Sequence, residues 1–384
     1  MKPGRVLAVA HKEWHEILRD RIYFLLAFIL PPLLMLVFCY GISQDVEHVP
    51  FALVDYDHSS MSRDYAHHYI VSRYFDYKGH LHDIHAADRL LANGDVGLVL
   101  VIAERFQERL MSGQPAAIQA LVDGTFPQRA RTVQGYIEAI NAIAGGELQV
   151  GYVSKRLGVS TAHALQLLQP LRLEVRYLYN PELRSVWSVS ASMMMFILIM
   201  TAPLLAALSV VREKETGSIY NIYASTIRRA EFILGKLLPN VLISFSNALV
   251  LWLMATWYFG APFKGSIPFF LLATLMYVIC TSSLGLLVSM LVRTQQAALM
   301  IAVILSVIIA LQFSGMLTPV ALLTGPNYLI AHLLPAMYYQ NVVLGAFLKG
   351  AGWTALWPEA VILAGYSLAV LAVVHVLFRK RTRA

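Results

Sequence analysis

The sequence predicts an α-helical polytopic membrane protein with six transmembrane helices, an α/β domain inserted after the first of them, and a re-entrant helical segment on the outer side. Three observations carry this prediction. Of the 384 residues 58% are hydrophobic and only 14% charged, against about 25% charged in an ordinary soluble domain. The apolar residues gather into runs longer than the roughly 20 residues a helix needs to cross a bilayer core. The charges divide unevenly: residues 43–185 carry a net −3 and the remainder a net +10.

Residues 1–21 are basic and have no long apolar core, so they read as an amphipathic helix lying on the membrane. The run that follows, IYFLLAFILPPLLMLVFCYGI at 22–42, lacks a small-residue cleavage site and is long enough to span. It reads as a retained anchor. The other spans are expected at 187–211, 237–259, 266–292, 297–317 and 354–378. Pro31, Pro32 and Pro203 should kink the helices that contain them, because each removes a backbone donor.

Lys and Arg concentrate on the cytoplasmic side of short loops. Here they mark the N-terminus (Lys2, Arg5, Lys12, Arg19, Arg21), the 211–236 segment (Arg212, Lys214, Arg228, Arg229, Lys236) and the tail (Arg379, Lys380, Arg381, Arg383). Both termini are thereby assigned to the cytoplasm, and 43–185 to the opposite side. The basic balance belongs to this membrane edge and implies a lipid partner, with no nucleic acid. The two cysteines, Cys39 and Cys280, lie in apolar runs and form no disulfide framework.

In the insertion, VPFALVDYD (49–57), YFDYK (74–78), VGLVLVI (96–102) and IQALVD (118–123) read as strands. SRDYAHHYIVS, DIHAADRLLANG and ERFQERLMSG between them have helical spacing, the last two closing on glycine. Alternating strand and helix predicts a small α/β domain, and 129–169 a long helical return. Residues 318–353 are apolar but broken by Pro319, Pro326 and Pro335, which predicts a re-entrant or interfacial helical pair with Tyr328, Tyr338 and Tyr339 at headgroup level.

Chemistry is mostly excluded. There is no G-x-x-x-x-G-K-[ST], and Gly235-Lys236 lacks both the upstream glycine and the following hydroxyl of a phosphate loop. G-x-S-x-G, H-E-x-x-H and C-x-x-C are also missing. His80, His82 and His85 with Asp83 supply metal-ligand types at a spacing that matches no strong signature, and a solvated loop is the better reading. His11 and His15 share a helix face, again read as membrane surface. No metal site and no cofactor is expected on this chain. Within the spans, Asn247, Gln312, Ser282 and Ser283 are candidates to line a polar pathway, with helix-to-helix hydrogen bonding an equal explanation. Glu359 is the only acid in a span and lies near its outer end, which disfavours a proton relay.

The charge-dense stretch 211–236 opens with Arg212, Glu213, Lys214 and Glu215, breaks at Gly217, and resumes as an amphipathic helix-compatible run. It reads as a surface protruding into the cytoplasm that suits docking of a partner.

REKETGSIYNIYASTIRRAEFILGK resembles the cytoplasmic segment of ABC-2 type permeases, and the order of the other parts is similar to their bacterial drug-exporter-like subgroup. Those parts are the basic N-terminal helix, the domain between spans one and two with its VDYDHSSMSR element, and the proline-broken SGMLTPV to FLKG stretch before the last span. YNIYA at 220–224 departs from the aliphatic residues usual there. The resemblance implies a permease subunit in the bacterial inner membrane that exports a drug-like, lipid-like or other hydrophobic substrate. It implies dimerisation with a like or similar permease subunit and a power stroke from a separate ABC ATPase, which holds the ATP and Mg. A periplasmic adaptor is a further partner. Arg212, Glu213, Lys214, Glu215 and Gly217, with Lys12, Glu13 and Glu16 of the N-terminal helix, would form the ATPase-coupling surface. No catalytic residue is carried over. The competing readings are a membrane sensor with an extracytoplasmic ligand domain, and a membrane enzyme using the histidine-rich region.

Overall fold

The computed structural model describes residues 2–41, 46–163, 178–182 and 184–378. The basic tail from Arg379 and positions 164–169 of the expected helical return lie outside them. The chain divides into two compact units, Met1–Ser43 with Tyr177–Ala384, and Gln44–Arg176.

The first unit opens with an amphipathic helix, Pro3–Arg19, whose Val9, Ala10, Glu13 and Ile17 form its buried face. Asp20 ends it: its backbone N–H closes on the Glu16 carbonyl, and its carboxylate accepts the N–H groups of Ile22 (2.9 Å) and Tyr23 (3.2 Å). One residue thus stops one helix and caps the next. Among the described residues, six helices are long and apolar enough to cross a membrane: Arg21–Gly41, Ser185–Glu215, Arg229–Tyr258, Ile267–Leu291, Gln295–Phe313 and Trp353–Leu377. The chain is a multi-pass membrane protein. Pro31 follows a π-helical turn at Leu25–Ile29, the irregularity expected where a proline removes a ladder bond.

The second span is the axis of the bundle, with 94% of its most apolar stretch buried, against 28% in the first and fifth spans and 17% in the sixth. It is apolar all round, as a central helix must be. The fourth span crosses it closely at Gly285, where a Cβ would sit 2.2 Å from the Pro203 carbonyl oxygen.

Two expectations about this unit need correction. Glu231 and Lys236 belong to the third span, whose helix begins at Arg229, and only 216–228, which contains the short helix Ile219–Ala224, is left between the second and third spans. The prolines at 326 and 335 start helices (Pro326–His332 and Pro335–Leu344), where the missing N–H costs nothing. Tyr339 is not an exposed interfacial aromatic: it is fully buried and stacks on Tyr277 at 4.0 Å, with its hydroxyl 3.0 Å from that of Thr274.

The second unit is a four-stranded sheet ordered β2-β1-β3-β4, from Val49–Asp55 (β1), Phe75–His80 (β2), Leu98–Ile102 (β3) and Ile118–Val122 (β4). β1 runs parallel to β2 and β3, and β4 antiparallel to β3. Helices Ser60–Ile70 and Pro127–Leu157 cover one face around Phe51, Tyr69 and Leu100; Ile84–Asn93 covers the other around Val54, Ala87 and Val99. Coverage on both faces explains why β3 is a continuous apolar run, LVLVI. Gly94 closes its helix in the left-handed conformation at φ 76°.

Candidate functional site

Arg212, Glu213, Lys214 and Glu215 are the last four residues of the second span's helix, and each reaches a different element. Arg212 pairs with Asp20 at 2.7 Å, at the corner between the N-terminal helix and the first span. Glu213 accepts a 2.6 Å bond from Lys12 of the N-terminal helix and lies 3.0 Å from the ammonium of Lys236 in the third span. Lys214 donates to the carbonyls of Ser289 and Val292, which end the fourth span. Glu215 accepts from the backbone N–H of Gln295 at 2.7 Å and from its side chain, at the start of the fifth. Successive residues of a helix point about 100° apart, so four in a row address the whole surrounding bundle. The two outer contacts also satisfy helix-end groups that would otherwise lack partners.

The centre of this hub is buried. Lys236 is 1% exposed, and Glu13 and Glu213 are each 2% exposed. Lys236 donates to Glu13 and, at 2.9 Å, to the Ser209 carbonyl. Burial pushes the Glu13 carboxyl above the ordinary range, with Lys236 opposing the rise. The backbone N–H of Tyr23, and Arg212 beside it, hold the Asp20 carboxyl below its ordinary range, against a smaller effect of burial. Close approach of the N-terminal helix depends on Gly235, where a Cβ would lie 2.6 Å from the Val9 Cβ and 3.1 Å from the Val6 carbonyl. Glu231 ties down the start of that helix by accepting from the Lys2 N–H at 2.9 Å.

Sequence reasoning missed Lys236, Asp20, Gly235 and Glu231. The available signal was a lysine at the edge of an apolar run, which needs a buried counter-charge. Glu13, Glu16 and Glu213 stand close enough together for a cation. Lys12, bonded to Glu213 and 3.5 Å from Glu16, and Lys236, bonded to Glu13, already meet that negative charge.

Beyond the hub, Gly217 takes φ 72° after the helix end and turns the chain into a short helix, Ile219–Ala224. Ile219 and Ile222 face inward, Tyr223 lies against Phe378, and Tyr220 is 58% exposed. Lys12 and Glu215 are exposed, and Glu16, Arg212 and Gly217 half-buried. Of the polar span residues, Asn247 donates to the Ala27 carbonyl at 2.7 Å and so joins the first and third spans. Ser283 bonds within its own helix to Ile279, Ser282 is buried with no partner among the described residues, and Gln312 is exposed. In the second unit, the His80 ring lies 5.9 Å from that of His58 and 6.0 Å from that of His82.

Among the described residues, the hub's charged groups are engaged with one another and with helix ends. The hub is built to hold six helices in register at one end of a bundle. Comparison with known proteins fits this. The family described as ABC-2 family transporter protein matches residues 21–375. The chain is 25% identical over 347 residues to the probable multidrug ABC transporter permease YbhS of Escherichia coli, covering 90% of this chain and 89% of that one. It is 26% identical over 336 residues to the inner membrane transport permease YhhJ of Escherichia coli (86% and 85%). It is also 26% identical over 280 residues to the probable multidrug permease YbhR (72% and 71%). The chain belongs to the ABC-2 transporter family and is one of its membrane permease subunits.

Proposed function

We propose that this permease exports a drug-like, lipid-like or other hydrophobic substrate, driven by ATP hydrolysed with Mg on a separate ABC ATPase. The observation that carries the reading is the Arg212–Glu215 hub, which links the N-terminal helix and five spans within five residues of the 217–224 turn. A push on that turn is therefore delivered to the bundle as a whole and not to one helix. Family membership supports an ABC ATPase and a dimeric arrangement, with a like or similar second permease subunit against the sparsely buried first and fifth spans. The hub end faces the cytoplasm of a bacterial inner membrane, with both termini on that side, as the lysine and arginine distribution supports. The inserted α/β unit faces the periplasm and meets substrate or an adaptor, and the broken helices 326–349 form the outer re-entrant segment.

In this reading the surface splits into two layers. Lys12, Glu16, Arg212, Glu215 and Gly217, with Tyr220, meet the ATPase; Glu13, Glu213 and Lys236 behind them keep that surface rigid. ATP binding then favours one bundle conformation over another through differential contacts at this face. The test is to tag the chain, extract it gently from its native membrane and identify its companions by mass spectrometry. Co-purification of a P-loop ATPase is expected. If no ATPase appears while other transporters in the same membrane keep theirs, the permease has no motor here and the reading fails.

A further inference from the structure

Along the outside of the membrane unit, the third and sixth spans border a groove of about 860 Å³, roofed at one end by Pro3, Val6 and Leu7 of the N-terminal helix. Its walls are Leu234, Leu238 and Val241 on the third span and Ala364, Leu368 and Leu371 on the sixth. Ser367 is its only polar lining residue, and that hydroxyl is already spent on the carbonyls of Met276 (3.0 Å) and Leu363 (2.9 Å). The groove therefore offers a ligand no free hydrogen-bond donor.

A second recess is lined by Arg228, Arg229, Ala230 and His375 and contains no acid. Ala230 and Leu234 stand four residues apart on the third span, and Leu371 and His375 four apart on the sixth. The recess thus continues the groove by one helical turn, about 6 Å, along the same two faces. Arg228 and Arg229 are exposed, and neither guanidinium has an ion-pair partner among the described residues. The nearest acid in sequence, Glu231, is buried: its carboxylate accepts from the backbone N–H groups of Lys2 and Arg228, both at 2.9 Å, and faces Arg5, and it pairs with neither the Arg228 nor the Arg229 guanidinium.

A dry apolar trough ending in two free guanidiniums and an imidazole complements an amphiphile with a long tail and an anionic head. We propose that this is a binding site for one anionic glycerophospholipid of the leaflet on the N-terminal side, with its phosphate at Arg228, Arg229 and His375 and an acyl chain in the groove. From Leu234 to Leu242 the trough runs about 12 Å along the helix axis, close to the roughly 15 Å of one leaflet's hydrocarbon. The bound lipid packs beneath the N-terminal helix and so braces it against the third span. This goes beyond the transport reading and requires only that the spans lie in a bilayer.

The test uses the purified full chain in detergent micelles, titrated with dioleoyl phosphatidylglycerol or dioleoyl phosphatidylcholine and read by native mass spectrometry. Wild type is expected to retain phosphatidylglycerol at least tenfold better than phosphatidylcholine. Arg228→Gln with Arg229→Gln, both exposed and neutral to folding, should bring that ratio close to one; Ala364→Phe, which fills the trough, should reduce retention of both lipids. Equal retention of the two lipids by wild type, or an unchanged preference in the double Gln variant, overturns the proposal. So does efficient crosslinking between two copies through Leu368→Cys, which would make a second subunit the occupant.

Discussion

Replacing Lys236 with methionine removes the one fully buried cation of the hub while leaving its shape nearly intact. Glu13 would then have no cationic partner among the described residues, and Glu213 would keep only Lys12, whose side chain is 44% exposed and sits at the rim. Breaking a buried pair by deleting one partner costs about 3–5 kcal/mol, because the remaining charge is left uncompensated. At 1.4 kcal/mol per factor of ten, this is more than a hundredfold in the folding equilibrium. The loss should be local first: the N-terminal helix should detach and become the earliest site of proteolysis. Equilibrium unfolding in mixed micelles gives the magnitude. Glu13→Gln in the same background should restore part of the loss, with a coupling of about 0.5–3 kcal/mol. If Lys236→Met costs less than about 1 kcal/mol and leaves the N-terminal helix protected, the hub is not the dry, charge-balanced centre described above.

Other outcomes follow from single contacts. Gly285→Ala drives a Cβ into the Pro203 backbone and should cost about 1–3 kcal/mol or more in thermal stability, whereas Gly365→Ala, with open space around it, should be neutral or stabilising. Asn247→Leu removes the bond to Ala27 and should weaken the contact of the first and third spans by about 0.6–2 kcal/mol, measured by unfolding in micelles. Asp20→Ala should cost about 1 kcal/mol as a lost cap. The folded Asp20 carboxyl titrates below its ordinary 3.8, so its contribution is complete above that value and is lost as pH falls through the lower folded value. The gap between wild type and Asp20→Ala should therefore be constant from about pH 5 to 8 and shrink below about pH 4, checked by melting curves across that range.

The spans were legible because a bilayer demands long apolar runs whatever the neighbours are, and the strands of the inserted unit because β-branched residues between turn formers leave few alternatives. What stayed hidden depended on partners far away in sequence. Lys236 looked like a loop residue since its counter-charges are Glu13 and Glu213, 223 and 23 positions away. Tyr339 looked like an interfacial aromatic until Tyr277 stacked on it. The central position of β1, between β2 and β3, is set by pairing that no local pattern encodes. The charged stretch was visible as a special segment from composition alone, yet the inward aim of Glu213 and the helix-end contacts of Lys214 and Glu215 required the bundle around them.

A photo-crosslinking residue placed at Tyr220, on the exposed side of the short helix beyond the hub, tests the central claim most directly. Irradiated in the native membrane, it should give a covalent product containing a P-loop ATPase, and the same probe at Trp257, exposed at the opposite end of the third span, should give none. An ATPase captured from position 257 and not from 220, or from neither while the complex is intact, would contradict the assignment of the Arg212–Ala224 segment as the face that receives the motor.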